Sequence, residues 1–345
     1  MFNSPRLFVV KTHFRQCRFQ STCSMPIEYT KPLPMFDFFA QSKPKPSFKL
    51  GHGAAGFAKR RQKSISVHTF NSYTSMGAQV GEDAYFRRSD AIGVADGIGG
   101  WSETAGSDSA LYSTQLMHFA NLEMDRFEDI EDPLFFEYNH AHPMDILQRS
   151  YDKSLVAAKK NNILGSTTAC IAVLRHDELR VANIGDCGIS IIRNHHYLFR
   201  SEEQQHAFNF PYQLGMRSRD QPAHAQSFNI KVQKNDVIIM GTDGLFDNLF
   251  DQHILRLVRD HVDAYTIPGT AARPPRIRHH LEPQLLADVL ANAAKEVSEA
   301  KRSVDTPFQR RAMEEGFLIE GGKADDISVI VAVVNDCEDS PDRRI

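Results

Sequence analysis

The chain has 345 residues, of which 41% are apolar, so it is long enough to bury a substantial hydrophobic core. Its formal net charge of -3 lacks the strong basic excess that binding to a phosphate backbone requires, and we expect no nucleic-acid partner. No apolar run approaches the roughly 18 to 20 residues that cross a bilayer, so we expect no stable membrane insertion.

Residues 1–27 are basic and contain several phenylalanines. Four basic residues precede the first acidic residue of the chain: Arg6, Lys11, Arg15 and Arg18. This composition is typical of a mitochondrial transit peptide, whereas a disordered basic arm is the alternative. We predict a transit peptide at 1–27 and a location in the mitochondrion, in the matrix.

Prolines dominate the next stretch, residues 28–50, and favour an extended linker over packed structure. We predict a catalytic domain at 51–337 and a C-terminal tail at 338–345. Within the domain, short β-like runs occur at 64–70, 91–95, 169–174, 179–184, 189–192, 228–232, 237–240 and 327–334. Helical patterns occur at 104–124, 145–160, 252–262 and 283–300. Strands in hairpin-like runs with helices between them predict an α+β layered domain.

Aspartates recur where apolar runs end. Asp96, Asp186 and Asp243 each close a β-like run beside a glycine, so the strands carry these carboxylates to sheet edges. Further acidic residues lie in comparable positions: Glu82, Asp83, Asp247, Asp325 and Asp326. A single Asp-Gly is usually only a turn signal.

If these ends converge, several carboxylates share one cleft. Two such charges about 4 Å apart repel by roughly 4 kcal/mol at an effective dielectric near 20, which divalent cations would relieve. Because the donors are all oxygens, with neither His nor Cys among them, Mg²⁺ or Mn²⁺ is favoured over Zn²⁺.

Six segments, in order, resemble the motifs of the protein phosphatase 2C family. They are Gly81-Glu-Asp-Ala, Val94-Ala-Asp-Gly-Ile-Gly-Gly, Gly165-Ser-Thr-Thr-Ala, Ala182-Asn-Ile-Gly-Asp, Gly241-Thr-Asp-Gly-Leu-Phe-Asp and Asp325-Asp-Ile-Ser-Val-Ile. The resemblance covers about residues 60–335. It implies a four-layer α-β-β-α sandwich of two antiparallel sheets flanked by helices, with the metal cleft at one end between the sheets.

The resemblance also implies roles for the acidic residues. Asp96 would bridge two metal ions, Asp243 and Asp325 would complete the shell of one, and Asp186 with Asp247 match positions that bind a third ion in some relatives. The catalytic residues would then be Asp83, Asp96 and Asp243. The metal ligands would be Glu82, Asp96, Gly97, Asp186, Asp243, Asp247, Asp325 and Asp326, although relatives often have Asn at the last position.

The activity implied is hydrolysis of phosphoserine and phosphothreonine in phosphoprotein substrates by metal-activated water. Two positions depart from the family pattern. Ile98 stands where relatives have a histidine proposed as general acid, and Ala78 stands where many have a phosphate-binding arginine. In these two departures and in the Asp-Gly-Ile-Gly-Gly-Trp segment, the sequence resembles the mitochondrial branch of the family, which is linked to coenzyme Q biosynthesis. They also favour the main alternative, a catalytically weak phosphoprotein-binding scaffold of the same fold.

Three other functions are disfavoured. Gly51-x-Gly53-x-x-Gly56 matches a dinucleotide fingerprint, but prolines and a lysine precede it where a buried strand should lie. Cys170 and Arg175 are one residue too close for a cysteine phosphatase loop. A two-metal nuclease needs a basic path for nucleic acid, which the net charge does not supply.

Overall fold

The computed structural model describes residues 47–59, 78–101, 106–270, 276–277, 281–300 and 304–337. All of them lie in one compact unit, Lys43–Ile345. The predicted transit peptide, the strand at 64–70 and the C-terminal tail lie outside the described residues.

Five antiparallel strands form the first sheet. From one edge to the other they are β1 (Phe48–Phe57), β17 (Ile327–Asp336), β14 (Val237–Gly241), β8 (Gly188–Arg193) and β9 (His196–Arg200). Strand β1 pairs with β17 along its whole length. It contains the Gly-x-Gly-x-x-Gly segment and starts inside the stretch predicted as linker, because its three glycines obscure the β pattern.

Six antiparallel strands form the second sheet. In spatial order they are β13 (Gln226–Lys231), β7 (Glu178–Ile184), β6 (Ala169–Arg175), β4 (Ala91–Ala95), β3 (Asp83–Arg87) and β2 (Ala78–Val80). The sequence predicted β4, β6, β7 and β13 within a few residues. It missed β2 and β3, which are short and lie on either side of the turn at Gly81.

Three pairs of very short strands lie outside the two sheets. They are β5 (Ser166–Thr167) with β12 (Leu214–Gly215), β10 (Gln205–Ala207) with β11 (Phe210–Pro211), and β15 (Thr266–Ile267) with β16 (Arg276–Ile277). Most of them lie in stretches that carry no strand pattern in the sequence.

Six α-helices occur in the described residues: α1 (Ser109–Asp125), α2 (Pro143–Asn161), α3 (Asp243–Phe246), α4 (Asp251–Ala264), α5 (Pro283–Ser298) and α6 (Pro307–Glu314). Three short 3₁₀ helices add Gly99–Trp101, Pro133–His140 and Pro222–His224. In this part of the chain no helix has the length and apolarity to cross a membrane.

The predicted helix at 104–124 begins later, at Ser109, because the Asp108 carboxylate caps it by accepting a 2.9 Å hydrogen bond from the Leu111 N–H. Helix α6 was not predicted. It buries only Phe308 and Ala312, which is too short an apolar stripe to stand out.

The buried apolar residues form three main layers. The middle layer lies between the two sheets, and each outer layer lies between one sheet and the helices that cover it. Alternate residues of a strand point to opposite faces, and both faces here are buried. In β17, Ile330 and Ala332 pack between the sheets, whereas Val329 and Val331 face the helices α4 and α5. Helices α1 and α2 cover the outer face of the second sheet. The predicted four-layer α-β-β-α sandwich is confirmed.

Candidate active site

Acidic residues from both sheets gather at one end of the sandwich. Asp96 follows β4, Asp186 follows β7 and Asp83 opens β3, all in the second sheet. Asp243 follows β14, and Asp325 with Asp326 precedes β17, both in the first sheet. The strand ends therefore deliver carboxylates from two sheets to one cleft, as the sequence predicted.

Asp83 lies at the bottom of this cleft and is fully buried. Its Oδ2 accepts a 2.9 Å hydrogen bond from the Thr242 hydroxyl, whose oxygen in turn accepts a 3.1 Å bond from the Ser328 N–H. Burial raises the pKa of Asp83 well above its ordinary value, and the carboxylate of Asp326 raises it further. A carboxylate in this position requires a nearby positive charge to stay ionised.

Asp96 is surrounded by other acids. Burial raises its pKa well above the ordinary value, and four neighbouring carboxylates raise it further: Asp243, Asp83, Asp186 and Asp325. Its backbone carbonyl accepts hydrogen bonds from Thr167 Oγ1 at 2.7 Å and Thr168 N at 2.9 Å. These bonds fix the turn, so the Asp96 side chain is held in the centre of the cluster.

Asp326 acts on the backbone around Glu82. Its Oδ2 accepts a 2.8 Å hydrogen bond from the Glu82 N–H, and its Oδ1 accepts a 2.7 Å bond from the Lys59 N–H. The preceding Gly81 has φ +64°, and a Cβ there would lie 2.0 Å from Asp326 Oδ1. Only glycine allows this approach. Asp326 therefore positions Glu82 through the backbone.

The turn after Asp96 is tied to its neighbours through the backbone. The Ile98 N–H donates to the Ser166 carbonyl at 2.9 Å, and the Ile98 carbonyl accepts from Ser109 Oγ at 2.6 Å. A Cβ on Gly97 would lie 2.5 Å from the Glu82 carbonyl oxygen, so this position also requires glycine. The Glu82 and Gly97 segments thus pack directly against each other.

The outer side of the cluster contains a lysine that the sequence analysis missed. The Lys323 ammonium contacts Asp243 Oδ2, lies 2.6 Å from Asp247 Oδ2 and lies 3.3 Å from Asp325 Oδ2. Burial lowers the pKa of Lys323, but these carboxylates outweigh burial and raise it well above the ordinary value. Lys59 also reaches Asp325, at 3.3 Å from Oδ1.

Arg311 provides a second protein cation at this side. One of its guanidinium nitrogens contacts Asp247 Oδ1, and another lies 2.5 Å from Glu203 Oε1. Both carboxylate oxygens of Asp247 are therefore in ion pairs with the protein's own cations. Arg311 also lines a groove of about 780 Å³ between α4 and α6.

The donor set fits hard divalent cations. Asp186 Oδ1 and Asp243 Oδ1 are buried and hydrogen-bond to no atom in the described part of the chain. Asp186 also has its pKa raised by burial and by Asp243. Within the described ranges, no three His, Cys, Asp or Glu side chains are already arranged around a common metal position. The carboxylates would have to adjust for ions to bind among them.

A family sequence model described as stage II sporulation protein E matches residues 91–335, more than half of the chain. The human protein phosphatase PTC7 homolog is 34% identical over 306 residues, covering 85% of this chain and 89% of its own length. The probable protein phosphatase 2C 55 of Arabidopsis thaliana is 36% identical over 285 residues, 81% of this chain. The chain belongs to the protein phosphatase 2C family.

Relatives in this family differ in length. The chain spans a little over half of the first Arabidopsis protein, 54%, and 58% of the probable protein phosphatase 2C 80 from the same plant. Among solved structures, the photosystem II phosphatase PBCP is 28% identical with a TM-score of 0.63, over 83% of this chain and 99% of that one. The fold of the protein phosphatase 2C family thus extends over most of this chain.

The structure brings together all the acidic residues that the family motifs marked. Asp83, Asp96 and Asp186 form the inner part, where carboxylates face one another. Asp247 and Asp325 form the outer part, beside Lys323. The roles of these residues as metal ligands remain predictions. Lys323 could have been noticed from its place in Gly-Gly-Lys-Ala-Asp-Asp, but Arg311 and Thr242 carry no such signal.

Proposed function

We propose that this chain is a metal-dependent protein serine/threonine phosphatase that hydrolyses phosphoserine and phosphothreonine. The observation that carries the proposal is the buried carboxylate cluster centred on Asp96, in a chain of the protein phosphatase 2C family. Clustered buried carboxylates are costly in the absence of a cation, so a protein that only binds phosphoproteins has no reason to keep them.

The ions would be Mg²⁺ or Mn²⁺. Asp96, Asp243 and Asp325 would hold them, with Glu82 and the Gly97 carbonyl on the side of the second sheet. A structure of the phosphatase PstP, which shares the fold at a TM-score of 0.53 and 16% identity, is described as containing two manganese ions. Bound ions of this kind neutralise charge on the phosphoryl oxygens and make water a better nucleophile near neutral pH.

The chain's own residues hold this arrangement in place. Thr242 donates to Asp83, which fixes that buried carboxylate within the cleft. Asp326 holds the Glu82 backbone, so the Glu82 side chain enters the cleft from a fixed point. Ile98 has no proton to give to a leaving group. The serine or threonine oxygen would then receive its proton from water, a loss of about 10² to 10⁴-fold relative to a positioned general acid.

The groove between α4 and α6 is suited to the polypeptide on either side of the phosphorylated residue. Four arginines line it, against the acids Glu203 and Asp251: Arg200, Arg256, Arg310 and Arg311. Three of these arginines already form ion pairs, with Asp251, Asp305 and Glu203, but the lining holds more arginines than acids, which supports substrates with acidic residues near the phosphosite. Since Arg311 contacts Asp247, the groove opens directly beside the acidic cluster.

We place the protein in the mitochondrial matrix, with proteins of coenzyme Q biosynthesis among its substrates. The basic composition of residues 1–27 supports the location, and similarity to the PTC7 homologs is consistent with it. Fusion of residues 1–50 to a fluorescent protein tests the location. Diffuse cytosolic fluorescence would contradict it.

Hydrolysis of a phosphothreonine peptide by the full chain tests the activity. We expect phosphate release with Mn²⁺ or Mg²⁺ and none with EDTA. Binding of Mn²⁺ and of phosphopeptide with no release under any condition would instead support the scaffold. In that case Ile98→His is the informative variant, because it restores the group that the relatives carry.

A further inference from the structure

Lys323 is held in the cluster by its backbone. Its N–H donates to Asn248 Oδ1 at 2.9 Å, and its carbonyl accepts from Asn248 Nδ2 at 3.0 Å. The same Asn248 amide donates to the Gly244 carbonyl in α3 at 3.0 Å. The buried Asn248 thus fixes the start of the Lys323 side chain next to α3, which begins with Asp243.

Three carboxylates surround the ammonium. It donates hydrogen bonds to Asp243 Oδ2 and Asp247 Oδ2, and Asp325 Oδ2 lies 3.3 Å away in a third ion pair. The Phe308 ring centroid lies 5.1 Å from the nitrogen and closes the side facing α6. The side chain is only 13% exposed. These carboxylates therefore form a cation-binding site, and the cation that they bind is the Lys323 ammonium of the same chain.

Compensation by protein cations is most complete at Asp247. Asp247 has Arg311 on one oxygen and Lys323 on the other. By contrast, Asp243 Oδ1 is buried and hydrogen-bonds to no atom in the described part of the chain. Asp243 can therefore still bind a divalent ion through this oxygen, whereas both oxygens of Asp247 already face cations of the protein.

We propose that the Lys323 ammonium replaces a third divalent ion, so that this chain binds two metal ions. A divalent ion beside Asp247 would have to displace the ammonium from three carboxylates and would then lie close to both Lys323 and Arg311. Repulsion between these charges disfavours such an ion. The inference rests on the proposed metal binding but not on hydrolysis.

The test is the number of Mn²⁺ ions bound by the metal-free full chain, measured by calorimetric titration and checked by native mass spectrometry. We expect two ions per wild-type chain and two for Lys323→Arg, which keeps the charge. Lys323→Met keeps the length of the side chain without the charge, and we expect it to bind a third ion. Lys59→Met is the matched control, because it removes a more exposed lysine from the same Asp325, and we expect two ions.

A third ion on the wild-type chain would overturn the inference, and so would an unchanged count in a folded Lys323→Met variant. Circular dichroism shows whether that variant is folded. If it is not, the wild-type count still decides between two ions and three. Because no substrate is present, the count is independent of phosphatase activity, which the phosphopeptide assay measures separately.

Discussion

The hydroxyl of Thr242 donates a 2.9 Å hydrogen bond to Oδ2 of Asp83. Asp83 opens β3 in the second sheet, and Thr242 directly follows β14 in the first. The bond therefore joins the two sheets at the bottom of the acidic cleft. It also fixes the Asp83 carboxylate, whose charge helps to raise the pKa of Asp96.

Thr242→Val removes this donor and keeps the shape of the side chain. We expect the free energy of unfolding to fall by about 1–3 kcal/mol, because Asp83 and the Ser328 N–H each lose a buried partner. Mn²⁺ affinity should fall as well. Thr266→Val is the control: the Thr266 hydroxyl donates to the nearby Val262 carbonyl, far from the cleft, so we expect a loss of about 1 kcal/mol or less and unchanged Mn²⁺ affinity. Equal Mn²⁺ affinity in both variants would contradict this role for Thr242.

Asp326→Asn places an amide nitrogen opposite one of two backbone N–H groups. Because Asp326 accepts from both Lys59 and Glu82, one of these bonds must be lost. We expect a stability loss on the order of 1–3 kcal/mol in chemical denaturation. We also expect a fall in kcat, since the Glu82 backbone loses its anchor. Asp305→Asn, an exposed acid paired with Arg310, should leave kcat unchanged. Full activity in Asp326→Asn would show that the anchor is dispensable.

The sequence predicted those residues of the site whose signal lies within a short stretch of the chain. Asp96 and Asp243 each end an apolar run, and that pattern is visible within ten residues. The contacts of Lys323 and Arg311 are different, because Asp247 lies 76 and 64 residues away from them along the chain. Only the packing of α6 and of the loop before β17 against α3 brings these cations to Asp247. Strand β1 was missed for a third reason, since its glycines lack the side chains that mark a strand.

Asp96→Asn should separate stability from metal binding. The pKa of Asp96 is raised by burial and by neighbouring carboxylates, so the ionised side chain destabilises the metal-free protein. We expect the free energy of unfolding of the metal-free variant to rise by on the order of 1–3 kcal/mol, and we expect the variant to lack the stabilisation by Mn²⁺ that we expect for the wild type. Thermal melting with Mn²⁺ or EDTA measures both. A wild-type-like Mn²⁺ shift in the variant would remove Asp96 from the metal site.

Glu123 offers a pH test far from the cleft. It is buried in α1 beside Arg126, Arg149 and Lys153. Burial raises its pKa, but hydrogen bonds from Lys153 and Arg149 outweigh burial and lower it. A lowered pKa in the folded state stabilises the protein above the ordinary pKa, and this contribution is lost as the pH falls through the lowered value.

Glu123→Gln should therefore lower the free energy of unfolding by about 1–3 kcal/mol at pH 7. The difference from wild type should narrow as the pH falls below the ordinary value of 4.5. Urea unfolding at a series of pH values measures this, with Glu178→Gln, a half-buried partner of Arg180, as the control. A constant difference across the series would mean that Glu123 acts through packing and not through its charge.

The most direct test of the proposed activity compares Asp243→Asn with Asp177→Asn in hydrolysis of a phosphothreonine peptide with Mn²⁺. Asp243 is a buried, proposed metal ligand, whereas Asp177 is an exposed acid between β6 and β7 that pairs with Lys231. With both variants folded, we predict loss of at least about 10²-fold in kcat for Asp243→Asn, together with lower Mn²⁺ content, and wild-type activity for Asp177→Asn. Retained activity and normal Mn²⁺ content in Asp243→Asn would contradict the assignment of the site.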